Sequence, residues 1–296
     1  MKQGMQSLVL ATALGCALLP PPLAAASGVS PSAVRKQAES SMLVSGEVYI
    51  EEDGSVSRLL VDREEKLPPG VVKFVRDSAR AWQFEPVLRD GRAVKLVSPM
   101  RLRVVAGKQE DGGYRISLRG VSFDAPPASD RERARMLDRT APTFPMAAAK
   151  VGAAGTVYML VKVGRDGHVE DLVAEQVNLR MIASEGDMAR LRQLFADSSI
   201  DAARSWTFQP PTEGALADRP FWIVRVPVNF RGRQDADGTG QDDYGRWVSY
   251  VPGPRQRAPW ARDTAGAEFS PDTLADGGVY MADGSAPKLR SPLQGS

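Results

Sequence analysis

Cysteine and histidine are almost absent from this chain of 296 residues, since each occurs only once, as Cys16 and His168. A single cysteine forms no disulfide within the chain and no thiolate metal site. A single histidine excludes a histidine cluster for a metal and a pair of histidines for acid–base chemistry. The sequence also has no phosphate-binding loop, nucleophile elbow or dinucleotide fingerprint. We therefore expect no catalytic residues, no metal site and no cofactor.

An excess of charge of one sign is also lacking. The chain has 38 Lys and Arg against 36 Asp and Glu, a formal net charge of +2. No run of basic residues is long enough to follow a phosphate backbone, so nucleic acid is not an expected partner. Hydrophobic residues make up 43% and charged residues 25%, as in ordinary globular domains.

No apolar run near the N-terminus is long enough to span a bilayer. Residues 7–19 give about 13 apolar residues, whereas a spanning helix needs about 20. Lys2 supplies a positive start and Ala24 to Ala26 a small-residue cleavage site, which is typical of a secretory signal peptide over 1–26. The expected location is the periplasm. A retained inner-membrane anchor and a lipoprotein modified at Cys16 stay open as alternatives.

A ten-residue segment occurs twice in the chain. Residues 77–86 read DSARAWQFEP and residues 201–210 read DAARSWTFQP. An Asp-Gly turn between apolar strands precedes each copy, and a strand with an internal proline follows it. Each copy therefore predicts two strands, a helix and a strand, with the second helix starting at Asp197 and Ser198. The predicted core motif is Trp82, Phe84, Pro86, Trp206, Phe208 and Pro210.

The predicted fold class is α+β, with two small units in which helices pack on one face of an antiparallel sheet. After the second unit the composition shifts to Gly, Asp, Pro and Ser, which predicts a disordered C-terminal tail. Scattered aromatic residues in this tail favour either docking on the parent domain or a partner-binding motif. The predicted organisation is a signal peptide over 1–26, a first unit over 41–106, a linker over 107–140 with an extra strand at 114–123, a second unit over 141–231 and the tail over 232–296.

Five motifs in the second unit, taken in order, resemble the TonB C-terminal domain family. No single motif is specific to that family, but the ordered set is. The first unit resembles a degenerate copy that lacks the Phe-Pro and Gly-x-x-Gly motifs. The five motifs are TFP at 143–145, GAAGTV at 152–157, VGRDGHV at 163–169, ARSWTFQP at 203–210 and VPVNF at 226–230.

The resemblance implies a domain that holds a short extended segment of an outer-membrane receptor. Such binding is β-augmentation, in which the free backbone groups of an edge strand pair with an incoming peptide. Pro227 and Pro99 lack the N–H of a sheet ladder and so indicate edge strands in the second and the first unit. The corresponding candidate in the first unit covers 95–104. The expected peptide-binding edge strand of the second unit contains Trp222, Ile223, Val224, Arg225, Val226, Val228 and Phe230.

The expected partners are an outer-membrane TonB-dependent receptor or another envelope protein. Contacts with inner-membrane motor proteins and a homo-oligomer stay open. Residues 27–41 reach only about 50 Å when fully extended, which is a short tether for energy transduction, so transduction is a hypothesis from the family alone. The alternative function is a structural or assembly role, in which the two units pack together and cover each other's edge strands.

Overall fold

A computed structural model describes residues 39–89, 91–109, 113–124, 129–231, 244–261, 268–282 and 284–293. The predicted signal peptide and Cys16 lie outside the described residues. The helices are α1 (Pro69–Arg80), α2 (Met146–Lys150) and α3 (Glu185–Ala203). The strands are β1 (Glu39–Ile50), β2 (Val56–Val61), β3 (Leu88–Arg89), β4 (Arg92–Ala93), β5 (Leu96–Lys108), β6 (Tyr114–Phe123), β7 (Arg135–Asp138), β8 (Gly155–Gly164), β9 (Val169–Leu179), β10 (Thr207–Gln209), β11 (Phe221–Phe230), β12 (Val248–Tyr250) and β13 (Tyr280–Met281).

The first unit is an antiparallel sheet with strand order β2, β1, β5 and β6. Helix α1 begins at Pro69, a residue that suits the first turn because its missing N–H has no partner there in any helix. Its buried face carries Val71, Val75 and Ala79, which join the core cluster of the sheet. These three residues recur at helical spacing and so form one face, which is the face that packs.

The second unit repeats this plan with strand order β9, β8, β11 and a short β13. Helix α3 buries Met188, Leu191 and Phe195 in its core cluster. The helix is longer than predicted: it starts after Ser184, whose hydroxyl accepts from the backbone N–H of Asp187, and it runs through Asp197. Asp197 lies inside this helix, and its carboxylate accepts from the side-chain amide of Gln193 one turn earlier at 2.7 Å. The predicted α+β class with two antiparallel sheets is confirmed.

A hydrogen bond between a glycine turn and the repeated motif occurs in both units. The backbone N–H of Phe84 donates to the C=O of Gly54, and that of Phe208 donates to the C=O of Gly167, each at 2.8 Å. Both glycines have positive φ angles, 84° and 80°. A Cβ on Gly54 or Gly167 would lie 2.1 or 2.2 Å from the carbonyl oxygen of the paired phenylalanine. Only glycine fits both the backbone conformation and the close approach.

The aromatic residues of the repeated motif are buried. Trp82, Phe84, Trp206 and Phe208 are all at most 2% exposed. The indole N–H of Trp206 donates to the carbonyl of Thr140 at 2.8 Å, which ties the start of the second unit to its core. The two prolines differ from the prediction, since Pro86 is exposed and Pro210 half-buried. They follow the core residues at the point where the chain leaves the sheet.

Strand β5 is not the edge strand that Pro99 predicts for residues 95–104. It lies between β1 and β6, and the pairing with β6 extends from Lys108 to Met100. The carbonyl of Pro99 accepts from the N–H of Asp124, so the side of Pro99 that lacks an N–H faces the place where β6 has just ended. The proline therefore removes no bond from the ladder. The strand predicted at 114–123 forms as β6 and completes the first sheet.

The C-terminal residues that the structure describes are ordered against both sheets, in contrast to the disordered tail predicted for 232–296. Strand β12 pairs with the start of β1. Val251 exchanges two backbone hydrogen bonds with Leu179 of β9, at 3.0 and 3.1 Å. Val251, Leu274 and Leu293 are at most 4% exposed. Such isolated apolar residues show no periodicity in the sequence, yet each fills a separate site on the folded units.

We expect Gly167→Ala to lower the free energy of unfolding by about 3 to 4 kcal/mol, because it adds a steric clash with Phe208 to the cost of a positive φ. Gly152→Ala is the matched control, since Gly152 also has a positive φ, 63°, but nothing within 4 Å of the added Cβ. That control should cost about 1 to 2 kcal/mol. Urea unfolding followed by circular dichroism measures both. Equal losses would show that the close approach contributes nothing.

Candidate functional site

The predicted peptide-binding strand, β11, lies near the border of the second sheet. On one side it pairs with β8 along its whole length, from Phe221 opposite Gly164 to Phe230 opposite Gly155. On the other side, its one strand partner within the described residues is β13, and the N–H of Ala282 donates to the carbonyl of Ile223 at 2.8 Å. The outer edge of β11 thus carries a three-residue segment of the chain's own C-terminal part.

The seven predicted site residues occupy one strand but two faces of it. Val224, Val226, Val228 and Phe230 belong to the core cluster. Trp222 is also buried, and its indole N–H donates to the carbonyl of Leu216 at 2.8 Å. These five side chains are buried, so they are not available to contact a peptide. An incoming peptide would meet the backbone edge of β11 and the opposite face, where Ile223 and Arg225 lie.

The outer backbone edge of β11 becomes unsuitable for strand pairing at Pro227. This residue offers no N–H, and its carbonyl accepts from the guanidinium of Arg139 at 3.2 Å. Beyond it, the side-chain amide of Asn229 donates to the carboxylate of Asp276. The β13 side of the edge therefore offers ladder positions at Ile223 and Arg225. At Pro227 and Asn229, this edge is instead hydrogen-bonded to side chains of the same chain.

A buried charge cluster lies on the face of the sheet that is opposite the core. Glu175 of β9 accepts from Arg225 of β11 at 2.7 and 3.2 Å. Arg255, from the C-terminal part, donates to the same carboxylate at 2.9 Å. The Glu175 side chain is only 3% exposed. The ring of Phe269 covers both guanidinium groups, 4.4 Å from Arg225 and 5.6 Å from Arg255. The cluster thus fixes the C-terminal part to the second sheet.

A second cluster joins the two sheets through the short turn at Pro271–Thr273. Arg103 of β5, 6% exposed, donates through Nε and Nη2 to the carbonyl of Asp272 and through Nη1 to the hydroxyl of Ser41. From the second sheet, Asn178 donates to the carboxylate of Asp272 at 3.3 Å. One turn of the C-terminal part is therefore bonded to both units.

The sequence interpretation did not include Glu175, Arg255, Phe269 or Asp272. Arg225 was the one available signal, because an arginine within an apolar strand needs an acceptor when it is buried. Its acceptor, Glu175, lies 50 positions away in the chain, and the second donor to Glu175, Arg255, lies 80 positions from Glu175. No spacing rule connects such distant residues.

Two repeated units, each an antiparallel sheet with a helix packed on one face, define an α+β fold class. Residues 140–231 match the family model for the C-terminal of the Gram-negative bacterial TonB protein. The second unit is therefore a TonB C-terminal domain, and the resemblance drawn from its motifs is confirmed. No curated protein and no solved structure matches the chain.

The matched family is a non-enzymatic energy-transducer and protein-interaction domain of the cell envelope. Residues 140–231 are accordingly the TonB-like part of this chain. The first unit lies outside the matched residues, and its likeness to the second rests on the common strand order and the common glycine turn.

The described part of the chain lacks both a membrane-spanning helix and a metal-binding cluster. No helix there is both long enough and apolar enough to cross a membrane. No group of three or more His, Cys, Asp or Glu side chains is arranged there to hold a metal ion.

We expect Glu175→Gln to lower the free energy of unfolding by about 3 kcal/mol, because it leaves two guanidinium groups around a neutral amide in a buried site. Glu170→Gln on the same strand is the control: Glu170 is 46% exposed and pairs with Lys162 at 2.8 Å, so its loss should cost less than about 1 kcal/mol. Thermal and urea unfolding measure the difference. A small and equal effect of both substitutions would show that the buried cluster does not hold the C-terminal part.

Proposed function

We propose that the protein is a periplasmic TonB-like protein that binds extended peptide segments of envelope proteins along the outer edge of β11. The supporting observation is the contrast between equivalent strands in the two units. In the first unit β6 covers the outer side of β5 from Lys108 to Met100. In the second unit, Tyr280 and Met281 are the only described residues that pair with the outer side of β11. The closing strand of the first unit is thus covered, whereas β11 has an outer edge that a peptide can take over by displacing a few residues.

The segment 280–282 acts as an internal competitor for this edge. It makes few ladder bonds, whereas a peptide of strand length adds more bonds and places alternate side chains on each face. The internal segment has the advantage of a high effective concentration, of the order of millimolar for a short tether. Peptide binding therefore requires that residues 280–282 leave while the turn at Pro271–Thr273 stays in place.

The partner that the family suggests is an outer-membrane TonB-dependent receptor, whose extended segment would supply the added strand. Another envelope protein with an exposed extended segment fits the same edge. The predicted signal peptide supports a periplasmic location for the mature chain. Support of TonB-dependent transport belongs to the proposal through the family, and the short segment 27–41 argues for binding without a long mechanical tether.

We expect the amide signals of β11 to shift when peptides from receptor N-terminal segments are added to the protein, as measured by NMR titration. Ala282→Pro removes the N–H that donates to Ile223 and so weakens the competitor. Peptide affinity should rise about tenfold in this variant. Ala282→Gly is the control, because it removes the side chain but keeps the N–H.

Two results would count against peptide binding at this edge. One is the absence of shifts along β11 in both the wild type and Ala282→Pro. The other is an equal affinity of Ala282→Pro and Ala282→Gly, which would place the peptide elsewhere. Melting curves of both variants show that the fold is retained.

The second candidate function is a structural or assembly role without peptide capture. It is favoured by the observation that the C-terminal part bonds to outer strands of both sheets: to β6 at Val121, to β9 at Leu179 and to β11 at Ile223. In this role the chain closes its own edges permanently. Strong protection of the β11 amides from exchange in the absence of any peptide would support it.

A further inference from the structure

A segment from the far C-terminal side of the chain lies in extended form on the first unit. Two backbone hydrogen bonds, at 2.9 and 2.7 Å, join residues 288–290 to residues 83–85. They place Leu289 opposite Phe84 in an antiparallel pair. We call residues 287–293 the docking segment.

The side chains of the docking segment alternate between the core and the solvent. Leu293 belongs to the buried core cluster of the first unit, and Leu289 packs against that cluster. Lys288, Arg290 and Pro292, at the alternate positions, are exposed. A period of two is that of a strand with one buried face. The first unit therefore holds the docking segment through its backbone and through its leucines.

The second unit has a strand in the same place. There β7 pairs with β10, and Met136 lies opposite Phe208, the counterpart of Phe84 in the repeated segment. Met136 packs against the second core cluster as Leu289 packs against the first. Strand β7 precedes its own unit in the sequence, whereas the docking segment follows both units. The first unit thus takes from the C-terminal part the strand that the second unit takes from its own N-terminal side.

The residues that cover β11 lie between two attachment points. On their N-terminal side is the turn at Pro271–Thr273, which is bonded to both sheets. On their C-terminal side is the docking segment, and only residues 283–286 separate Ala282 from Pro287. A segment that is fixed at both ends has lost much of its conformational freedom before it pairs, so its effective concentration at β11 is higher than with one attachment.

The docking segment and β13 also border the same small cavity, which has a volume of about 60 Å³. Met281 of β13 and Leu289 of the docking segment line it, together with Phe123 of β6 and Arg225 of β11. Release of the docking segment therefore removes one wall of the space next to β13.

We propose that the first unit is a binding site for the docking segment and that this site controls access to the outer edge of β11. With the docking segment bound, residues 280–282 compete strongly for the edge. When it is released, these residues are attached at one end only and compete less. The consequence for peptide capture rests on the proposed function, whereas the coupling itself is a property of the chain without peptide. This assigns a task to the first unit, which lies outside the family match.

The test is amide hydrogen exchange of the full chain without peptide. Leu289→Ala weakens the hold of the first unit on the docking segment, so the amide of Ala282 should exchange about tenfold faster. Leu59→Ala is the matched control, because Leu59 of β2 is also half-buried against the same core cluster but lies outside the C-terminal part. The control should leave the exchange of Ala282 unchanged.

A second pair of variants keeps both leucines in place. Arg290→Pro removes the N–H that donates to the carbonyl of Gln83, whereas Arg290→Ala keeps it. Ala282 should exchange about tenfold faster in Arg290→Pro than in Arg290→Ala. The β5 amides should stay protected in all four variants. If Leu289→Ala loses that protection, the two Arg290 variants decide alone, because this side chain is exposed and its loss leaves the core intact.

Unchanged exchange of Ala282 in both Leu289→Ala and Arg290→Pro would overturn the proposal. A peptide titration of the same variants separates this result from a failure of the proposed function. Faster exchange of Ala282 without any peptide-induced shift along β11 would contradict peptide capture and support the coupling. Peptide-induced shifts along β11 with unchanged exchange of Ala282 would contradict the coupling and support peptide capture.

Discussion

The buried guanidinium of Arg103 is the constraint on which the arrangement of the two units depends. A charged side chain at 6% exposure must have acceptors, and those it has are the carbonyl of Asp272 and the hydroxyl of Ser41. Asp272 belongs to the C-terminal part and is bonded to Asn178 of the second sheet as well. Release of the whole C-terminal part would therefore remove the acceptor of Arg103 in the first unit and that of Asn178 in the second. It works as a structural element of the protein, not as an appendage.

This constraint divides the C-terminal part into a fixed and a releasable portion. The fixed portion contains Arg255, Phe269 and the turn at Pro271–Thr273, which are held by buried charges. The releasable portion is the segment 280–282, which is held to β11 by a few backbone bonds. Proteins commonly protect exposed sheet edges against unwanted pairing. Here a weakly held segment protects the edge that the proposed function requires.

The two units share one order of strands but differ at one edge of the sheet. In both units the first strand of the hairpin lies between the second strand of the hairpin and the strand that follows the helix. Both lock the hairpin turn onto the Trp-x-Phe motif through a glycine carbonyl. They differ at the outer side of the closing strand, where the first unit has a ten-residue strand and the second a two-residue one. The strand after the helix is thus covered in the first unit and nearly uncovered in the second.

Local features of this fold follow from the sequence, whereas distant ones do not. The Asp-Gly turns, the buried face of α1 and the border position of β11 depend on neighbouring residues and were predictable. The central position of β5 depends on pairing with β6, which Pro99 alone does not reveal. The Glu175 cluster and the sites of Val251 and Leu274 require contacts between residues far apart in the chain. The positions of single apolar residues in a polar segment gave no periodic signal.

Amide hydrogen exchange of the full chain without peptide tests the central claim most directly, namely that the C-terminal part completes the sheets while leaving β11 accessible. The amides of Val121 and Val251, which bond between the C-terminal part and β6 or β9, should exchange nearly as slowly as those of β8. The amide of Ala282 should exchange faster than both. Exchange of Val121 and Val251 at the rate of an unfolded chain, while β8 stays protected, would contradict the account.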